Sequence, residues 1–256
     1  IIHDVAPGAE LVLVTFADPL MDEMVTWLLE NEVDVVSMSL EWTDGPMDGT
    51  HFSSEHIQRA IDGGITWVVA AGNSAKRHHV GTTVDSDLDS WVELNPPSTE
   101  FNEFRMSPGE SADLLLTWND AGTDLDLCIF DMEALNDGLP TLVACSEGPQ
   151  GNGELALESM SLTHSGATSR RYGYSIKHYS GGEAIYDTRI WGSGSLQYSN
   201  PAASIGVPAN MADVLTVGAV AWDTLELQPY SGWGPNMQGV RKPDVVAPDQ
   251  ITTSQW

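Results

Sequence analysis

The chain has 256 residues, with 37 acidic and 10 basic side chains, which gives a formal net charge of −27. Hydrophobic residues make up 41% of the sequence, enough to fill one large domain or two ordinary ones, so disorder caused by a lack of apolar residues is excluded. Because no basic stripe is present to displace counterions, nucleic acid and anionic membrane surfaces are excluded as partners.

The first 75 residues alternate between the patterns of strand and helix. Residues 9–16 (AELVLVTF), 34–40 (DVVSMSL) and 65–71 (ITWVVAA) are short apolar runs that predict strands. Between them, helices are predicted by apolar residues at helical spacing, namely Met21, Met24, Val25 and Leu28, then Ile57, Ala60 and Ile61. This alternation is typical of an α/β fold with a doubly wound parallel sheet, in which functional groups gather at the carboxyl ends of the strands.

The middle of the chain has a different pattern. Short runs of alternating residues, separated by Gly, Pro and Asn turns, predict an antiparallel β-sandwich; the runs are 113–118, 124–130, 142–145, 172–179 and 185–191. The apolar run 214–220 (VLTVGAV) then returns to the α/β pattern. We therefore predict a first part of the α/β domain over 1–90, an inserted sandwich over 91–198 and a second part over 199–256.

An acidic loop follows the third predicted strand. Asp85, Asp87 and Asp89 alternate along it, and carboxylates in this arrangement can wrap Ca²⁺. The full EF-hand pattern is missing, because Ser90 replaces the turn glycine and Pro96 stands at the twelfth place, where a Glu would bind the ion. Two interpretations stay open, a structural calcium site and a bare solvated loop.

Cysteine and histidine give weaker signals. Cys128 and Cys145 fall on neighbouring predicted strands, so a cross-strand disulfide is open if the protein is exported, and two reduced thiols are the alternative. His78 and His79 lack a third ligand at metal spacing, and we interpret them as a solvated pair rather than a zinc site.

Asn73 is the first candidate for chemistry, since it follows the strand 65–71 directly after Gly72. A Gly-Asn pair is by itself an ordinary turn, but here it belongs to an ordered series of motifs. The series resembles the subtilisin-like serine peptidases and covers about residues 1–75 and 200–256; its motifs are 5–9 (VAPGA), 36–40 (VSMSL), 64–73 (GITWVVAAGN), 208–219 (PANMADVLTVGA), 230–235 (YSGWGP) and 242–248 (KPDVVAP).

This resemblance implies a secreted serine endopeptidase with protein or peptide substrates, and it implies roles for particular residues. Asn73 stands where the family keeps its oxyanion-hole asparagine. The two walls that pair with the substrate backbone and line its main specificity pocket are Ser39, Leu40 and Glu41 on one side and Ala70, Ala71 and Gly72 on the other. Glu41 departs from the glycine common at its position.

The resemblance also implies an Asp/His/Ser triad in that chain order, with each residue in its own motif. The matching segments begin after the family's histidine motif and end before its serine motif, and His3 and Ser254 both lack the accompanying Gly-Thr. We therefore expect an internal fragment that is inactive alone and whose triad lies outside it. Residues 123–127 (TDLDL) resemble the pre-peptidase C-terminal type of sandwich.

Two other functions remain open at the level of sequence. The first is a non-catalytic, calcium-dependent protein that binds protein or carbohydrate through aromatic residues of the sandwich, such as Tyr172, Tyr174 and Trp191. The second, a nucleotide-binding α/β domain, is weaker because no glycine-rich loop follows the first predicted strand.

Overall fold

The computed structural model describes residues 1–15, 20–42, 51–95, 99–150, 155–192, 194–236 and 239–250. Within these ranges strand predominates over helix, and the strands form three four-stranded sheets. The helices are α1 (Ile2–Val5), α2 (Met21–Glu30) and α3 (Phe52–Asp62). None of the helices in the described ranges has the length and hydropathy of a membrane span.

The first sheet is parallel throughout and has the order β1-β2-β11-β12. Its strands are β1 (Val35–Met38), β2 (Thr66–Ala70), β11 (Leu215–Ala221) and β12 (Val245–Asp249). β1 and β2 are separated in sequence by α3, the helix crossover that a parallel pair requires.

Both longer helices pack on the same face of this sheet. Met21, Val25 and Leu28 of α2 recur at helical spacing and share one hydrophobic cluster with Trp67 and Val69 of β2. The opposite face of β2 carries Thr66 and Ala70, which are exposed, and Val68, which is half-buried. In the described part of the chain, helices therefore cover one face of the sheet, whereas a doubly wound sheet has them on both.

The prediction of a strand over residues 9–16 is wrong for residues 9–15, the part that the structure describes. Residues 9–15 form no strand, and Leu13 is 94% exposed, while Phe16 lies outside the described residues. An apolar run becomes a strand only where a neighbour offers backbone partners. The described sheet ends at β1, so this run has no paired strand there.

The other two sheets are antiparallel and face each other. One has the order β3-β10-β5-β8 and the other β4-β9-β6-β7. Their strands are β3 (His78–Thr82), β4 (Asn102–Met106), β5 (Ser111–Trp118), β6 (Asp124–Asn136), β7 (Leu139–Ser146), β8 (Leu157–Thr163), β9 (Arg170–Ser180) and β10 (Ile185–Trp191).

A single hydrophobic cluster lies between these sheets, with Leu114 and Leu116 of β5 against Leu125, Leu127 and Ile129 of β6. Leu125, Leu127 and Ile129 alternate along β6, in the run 124–130 for which the sequence predicts a strand. Because β3 belongs to the first of the two sheets, the antiparallel unit begins at residue 78 rather than at the predicted boundary of 91.

The sheet β3-β10-β5-β8 has a second buried face. Leu115 alternates with Leu114 and Leu116, so it points to the other side, where it joins the cluster of α2, α3 and the parallel sheet. Trp191 of β10 and Leu157 of β8 pack against the same cluster. The antiparallel unit is therefore joined to the parallel sheet through apolar contacts.

A disulfide joins Cys128 of β6 to Cys145 of β7, which lie directly opposite each other in the ladder. The sequence left a disulfide and two reduced thiols open, and the structure has the disulfide. Cys128 is 1% exposed, so the bond is partly enclosed by the sheet.

Candidate functional site

The two predicted walls leave the parallel sheet at the same edge. Met38 of β1 is aligned with Val69 of β2 in a parallel ladder, so Ser39 and Ala70 follow at the carboxyl ends of neighbouring strands. Ser39 and Leu40 are exposed, with Leu40 at 60%. An exposed stretch of extended chain at this edge is able to pair with a peptide backbone.

Asn73 directly follows the second wall, residues 70–72, whose backbone is fixed by hydrogen bonds to other segments of the chain. Ala71 donates its N–H to Val217 (2.8 Å), and Gly72, at φ +83°, accepts from the N–H of Gly232 (3.0 Å). The Asn73 side chain is exposed and has no hydrogen-bond partner among the described residues. Its carboxamide NH₂ is therefore available to donate to a group in solvent.

Glu41 reaches across from the first wall to the second. A Cβ built on Gly72 would lie 3.2 Å from Glu41 Oε2, and one built on Gly206 would overlap the same carboxyl group. Glycine at these two positions makes room for the carboxylate, which the sequence pattern placed at a pocket wall.

A chain of buried charges continues from Glu41 into the antiparallel unit. Arg189 of β10 donates from Nη1 to Glu41 Oε1 (3.1 Å) and from Nε to Asp187 Oδ1 (3.1 Å). The other oxygen of Asp187 lies 2.9 Å from His78 Nε2, while His78 Nδ1 lies 2.7 Å from the carbonyl oxygen of Asn200. The carbonyl oxygen of Asn200 can only accept, so His78 Nδ1 is the donor in that bond.

Burial sets the electrostatics of this chain. Arg189 is 1% exposed and Asp187 2%. Burial would raise the pKa of Asp187, but the charges of Arg189 and His78 outweigh it and hold the pKa at about 2. Burial raises the pKa of Glu41, and Arg189, which is shared with Asp187, offsets this only in part.

The interpretation of His78 and His79 as a solvated pair is wrong, because both lie in β3 and are buried at 0% and 6% exposure. Burial, followed by the charge of His78, lowers the pKa of His79 to about 4. Sequence reasoning missed this cluster. The available signal was the presence of Asp187 and Arg189 two residues apart in a predicted strand, which puts both side chains on one face.

The acidic loop brings its three predicted ligands together. Asp85, Asp87 and Asp89 each offer a carboxylate oxygen, and these atoms lie within 4.8 Å of one another. Asp85 Oδ1 accepts the N–H groups of Leu88 (2.7 Å) and Asp89 (3.2 Å), and its Oδ2 accepts that of Ser90 (3.0 Å). Asp85 thus shapes the loop, while Asp87 and Asp89 are exposed.

Two residues cited for glycan or protein recognition belong to the core. Tyr174 is 1% exposed and bonded to Thr188 (2.7 Å), and Tyr172 is 8% exposed. They pack between the sheets and cannot present a binding face, although Trp191 is half-buried. Ser254 lies outside the described residues.

The chain was compared with known protein families and structures. The family model described as "Subtilase family" matches residues 1–99 and 157–255. Among solved structures, the CspB protease of Clostridium perfringens has a TM-score of 0.64 at 20% identity, over 94% of this chain and 55% of that one. Our chain thus spans about half the length of that protease. A comparison with curated proteins gives no match.

Two further structures resemble part of the chain with low scores. The mitogen of Yersinia pseudotuberculosis has a TM-score of 0.30 at 8% identity, over 44% of this chain and 81% of that one. The pre-peptidase C-terminal domain of the Bacillus anthracis collagenase has a TM-score of 0.28 at 11% identity, over 48% and 91%. The fold agrees with that of the protease over nearly the whole chain.

Proposed function

Because the chain belongs to the subtilase family, we propose that it is part of a secreted serine endopeptidase that hydrolyses peptide bonds in proteins or peptides. The observation that carries the proposal is the exposed carboxamide of Asn73, without a hydrogen-bond partner among the described residues, beside the carboxyl ends of β1 and β2. The catalytic Asp, His and Ser belong to segments outside these 256 residues.

In this proposal the substrate lies extended between the two walls. Its backbone pairs with Ser39, Leu40 and Glu41 on one side and with Ala70, Ala71 and Gly72 on the other. The serine attacks the scissile carbonyl, and the histidine takes the serine's proton and later gives it to the leaving amine. Asn73 donates a hydrogen bond to the oxyanion that forms, and so lowers the barrier where negative charge develops.

We further propose that the two antiparallel sheets are an insertion into a doubly wound peptidase domain. The family match is interrupted between residues 99 and 157, so β4 to β7 of this unit lie outside it, which supports an insertion at that place, while β3 and β8 to β10 lie inside the matched segments. The disulfide between Cys128 and Cys145 supports export, since such bonds persist in oxidising compartments.

The test compares this chain with a longer one that carries the family's Asp, His and Ser motifs. We expect these 256 residues to hydrolyse no casein, and the longer chain to hydrolyse it with sensitivity to a serine-directed phosphonate. In the longer chain, Asn73→Ala should lower kcat by about 10²–10³ with little change in KM, because the lost bond forms only in the transition state.

Asn31→Ala is the matched control, since Asn31 is also exposed but ends α2, and it should leave kcat unchanged. Turnover by the 256 residues alone, blocked by the phosphonate, would show that the triad is misplaced. An unchanged kcat in Asn73→Ala would remove Asn73 from the oxyanion hole.

A further inference from the structure

The carboxyl group of Glu41 lies in the gap between the two walls, residues 39–41 and 70–72. A Cβ built on Gly72 would lie 3.2 Å from its Oε2, and one built on Gly206 would overlap its Oε1. Gly206 is held against the first wall, because the N–H of Trp42 donates to the carbonyl oxygen of Val207 (3.0 Å). Three backbone segments therefore surround this carboxylate.

The two oxygens of the Glu41 carboxylate have different surroundings. Oε1 accepts a hydrogen bond from Arg189 Nη1 (3.1 Å) and lies nearest Gly206, which is buried. Oε2 lies nearest Gly72, which is half-buried and directly precedes the exposed Asn73. No described residue donates to Oε2, and it is not sealed from solvent, since the side chain is 19% exposed. Oε2 is therefore an acceptor that a group entering the gap can reach.

The negative charge of Glu41 is only partly compensated. Arg189 is the one cation that forms a salt bridge with it in the described part of the chain, and Asp187 pairs with the same guanidinium. Burial outweighs Arg189 and raises the pKa of Glu41. A second cation at Oε2 would favour the ionised form and complete the pairing of a largely buried carboxylate.

We propose that Glu41 selects substrates with a lysine or arginine side chain, whose positive end donates a hydrogen bond to Oε2. This role rests on the proposed function, because it places a substrate side chain in the gap. Asn73 follows Gly72 directly, so the substrate residue whose carbonyl oxygen faces Asn73 brings its own side chain beside Gly72. The selected residue is the one that supplies the carbonyl of the cleaved bond. A glycine at position 41 would carry no such charge, so the preference is a property of this chain.

Peptide coumarin amides that differ only in the residue before the coumarin test this preference. In the longer chain with the family's Asp, His and Ser motifs, kcat/KM for lysine should exceed that for norleucine by about 10–100-fold, because norleucine leaves Oε2 without a donor. Nε-acetyl-lysine, which has the length but not the charge, should behave like norleucine. Glutamate should be the poorest of the four, since its carboxylate would face that of Glu41.

Binding gives the same comparison without catalysis. Fluorescein-labelled peptide amides that end in lysine or norleucine are titrated with these 256 residues and followed by anisotropy, and the lysine peptide should bind at least about tenfold more tightly. An isomeric peptide with its lysine at the other end measures general attraction to a chain of net charge −27. It should bind less tightly than the peptide that ends in lysine.

Two variants assign the preference to a single residue. Glu41→Gln keeps the shape of the side chain and removes its charge, so the advantage of lysine over norleucine should fall to within about threefold. Asp137→Asn is the matched control, because it removes an exposed charge in the β6–β7 turn and should keep the full preference. If Glu41→Gln fails to fold, the two isomeric peptides decide with the parent chain alone.

Three outcomes would overturn the role of Glu41. Hydrolysis and binding that do not favour lysine over norleucine would do so and leave the proposed peptidase activity intact. An unchanged preference for lysine in Glu41→Gln would place its cause elsewhere, and equal binding of the two isomeric peptides would indicate only general attraction to an acidic surface. Tighter binding of the lysine peptide, with no hydrolysis of any peptide by the longer chain, would instead refute the peptidase activity and support the role of Glu41.

Discussion

At the scale of single residues, Arg189 is the centre of the buried charges. Its guanidinium donates to the carboxylates of Glu41 and Asp187 and to three carbonyl oxygens, those of Ser204 (3.0 Å), Ala203 (3.3 Å) and Ile205 (3.3 Å). A planar group with five N–H donors fits this set, whereas a lysine ammonium does not. Without it, Glu41 would lose its cation and Asp187 would keep only its bond with His78.

Replacing Arg189 should therefore be costly. Arg189→Met keeps much of the volume but removes the cation paired with Glu41 and one of the two partners of the buried Asp187, and we expect the free energy of unfolding in urea to fall by about 3–5 kcal/mol. The control is Arg171→Met, which breaks pairs at a side chain that is 45% exposed and should cost less than about 1 kcal/mol. Equal losses in the two variants would contradict a special role for Arg189.

His79 gives a pH dependence with a definite sign. Its pKa in the folded chain is about 4, below the ordinary 6.5, so the unfolded chain binds the proton first as the pH falls. The neutral, buried form of His79 therefore stabilises the folded chain by about 3 kcal/mol. This stabilisation is complete above about pH 6.5 and is lost as the pH falls through about 4. His79→Gln should flatten the stability profile in this window.

Asp126 acts in the opposite sense over part of the same range. Burial raises the pKa of Asp126 to about 6. Its contribution to the stability of the folded chain is therefore present below about pH 4 and is lost as the pH rises through 6. Asp126 is present in both the parent chain and the His79→Gln variant. Its effect therefore cancels when the variant's profile of stability against pH is subtracted from the parent's. A difference profile without slope between pH 6.5 and 4 would rule out the proposed role of His79.

At the scale of elements, the strands that the sequence predicts are those with local signals. β5, β6, β9 and β10 alternate apolar and polar residues and were recognisable, whereas β3 was not. His78 is buried with Asp187 and Asn200, more than a hundred residues away, as its hydrogen-bond partners, and His79 lies against the equally distant Tyr186. Local patterns carry no information about such contacts.

The contacts of the candidate site are likewise of two kinds, those that local patterns predict and those that depend on distant parts of the chain. The proximity of Glu41 and Gly72 follows from two neighbouring parallel strands, so a reading of strand ends was sufficient to predict it. The pairing of Glu41 with Arg189 depends on how the antiparallel unit docks on the parallel sheet. Residues 9–15 show the converse case, since strong strand composition gave no strand in the absence of a partner.

The disulfide belongs to this scale because it joins two strands. Cys128 and Cys145 are 17 residues apart, and closing a loop of this length should stabilise the folded chain by about 3 kcal/mol. The double variant Cys128→Ala/Cys145→Ala should lose this amount in urea unfolding. Reductant should destabilise the parent but not the variant, since the sequence holds no other cysteine. An unchanged unfolding midpoint in both experiments would contradict the prediction.

At the scale of the whole molecule, β1 and β2 from the first segment of the family match and β11 and β12 from the second form one parallel sheet, although the antiparallel unit lies between them in sequence. β2 and β11 lie next to each other in that sheet and are about 150 residues apart in the chain. Short-range patterns showed that both are strands, and the order of the motifs showed that they belong to the same domain. Neither could show how the unit between them is oriented.

The two buried faces of the sheet β3-β10-β5-β8 bear on how this chain can be divided. Leu114 and Leu115, adjacent in β5, belong to different hydrophobic clusters, and Arg189 in β10 points to the side of Leu115. Cutting the antiparallel unit out as an independent module would bring an apolar face and an incomplete set of charges into water. The unit and the peptidase-like part should therefore fold and unfold in one cooperative transition, and neither is a cassette that can be exchanged freely between proteins.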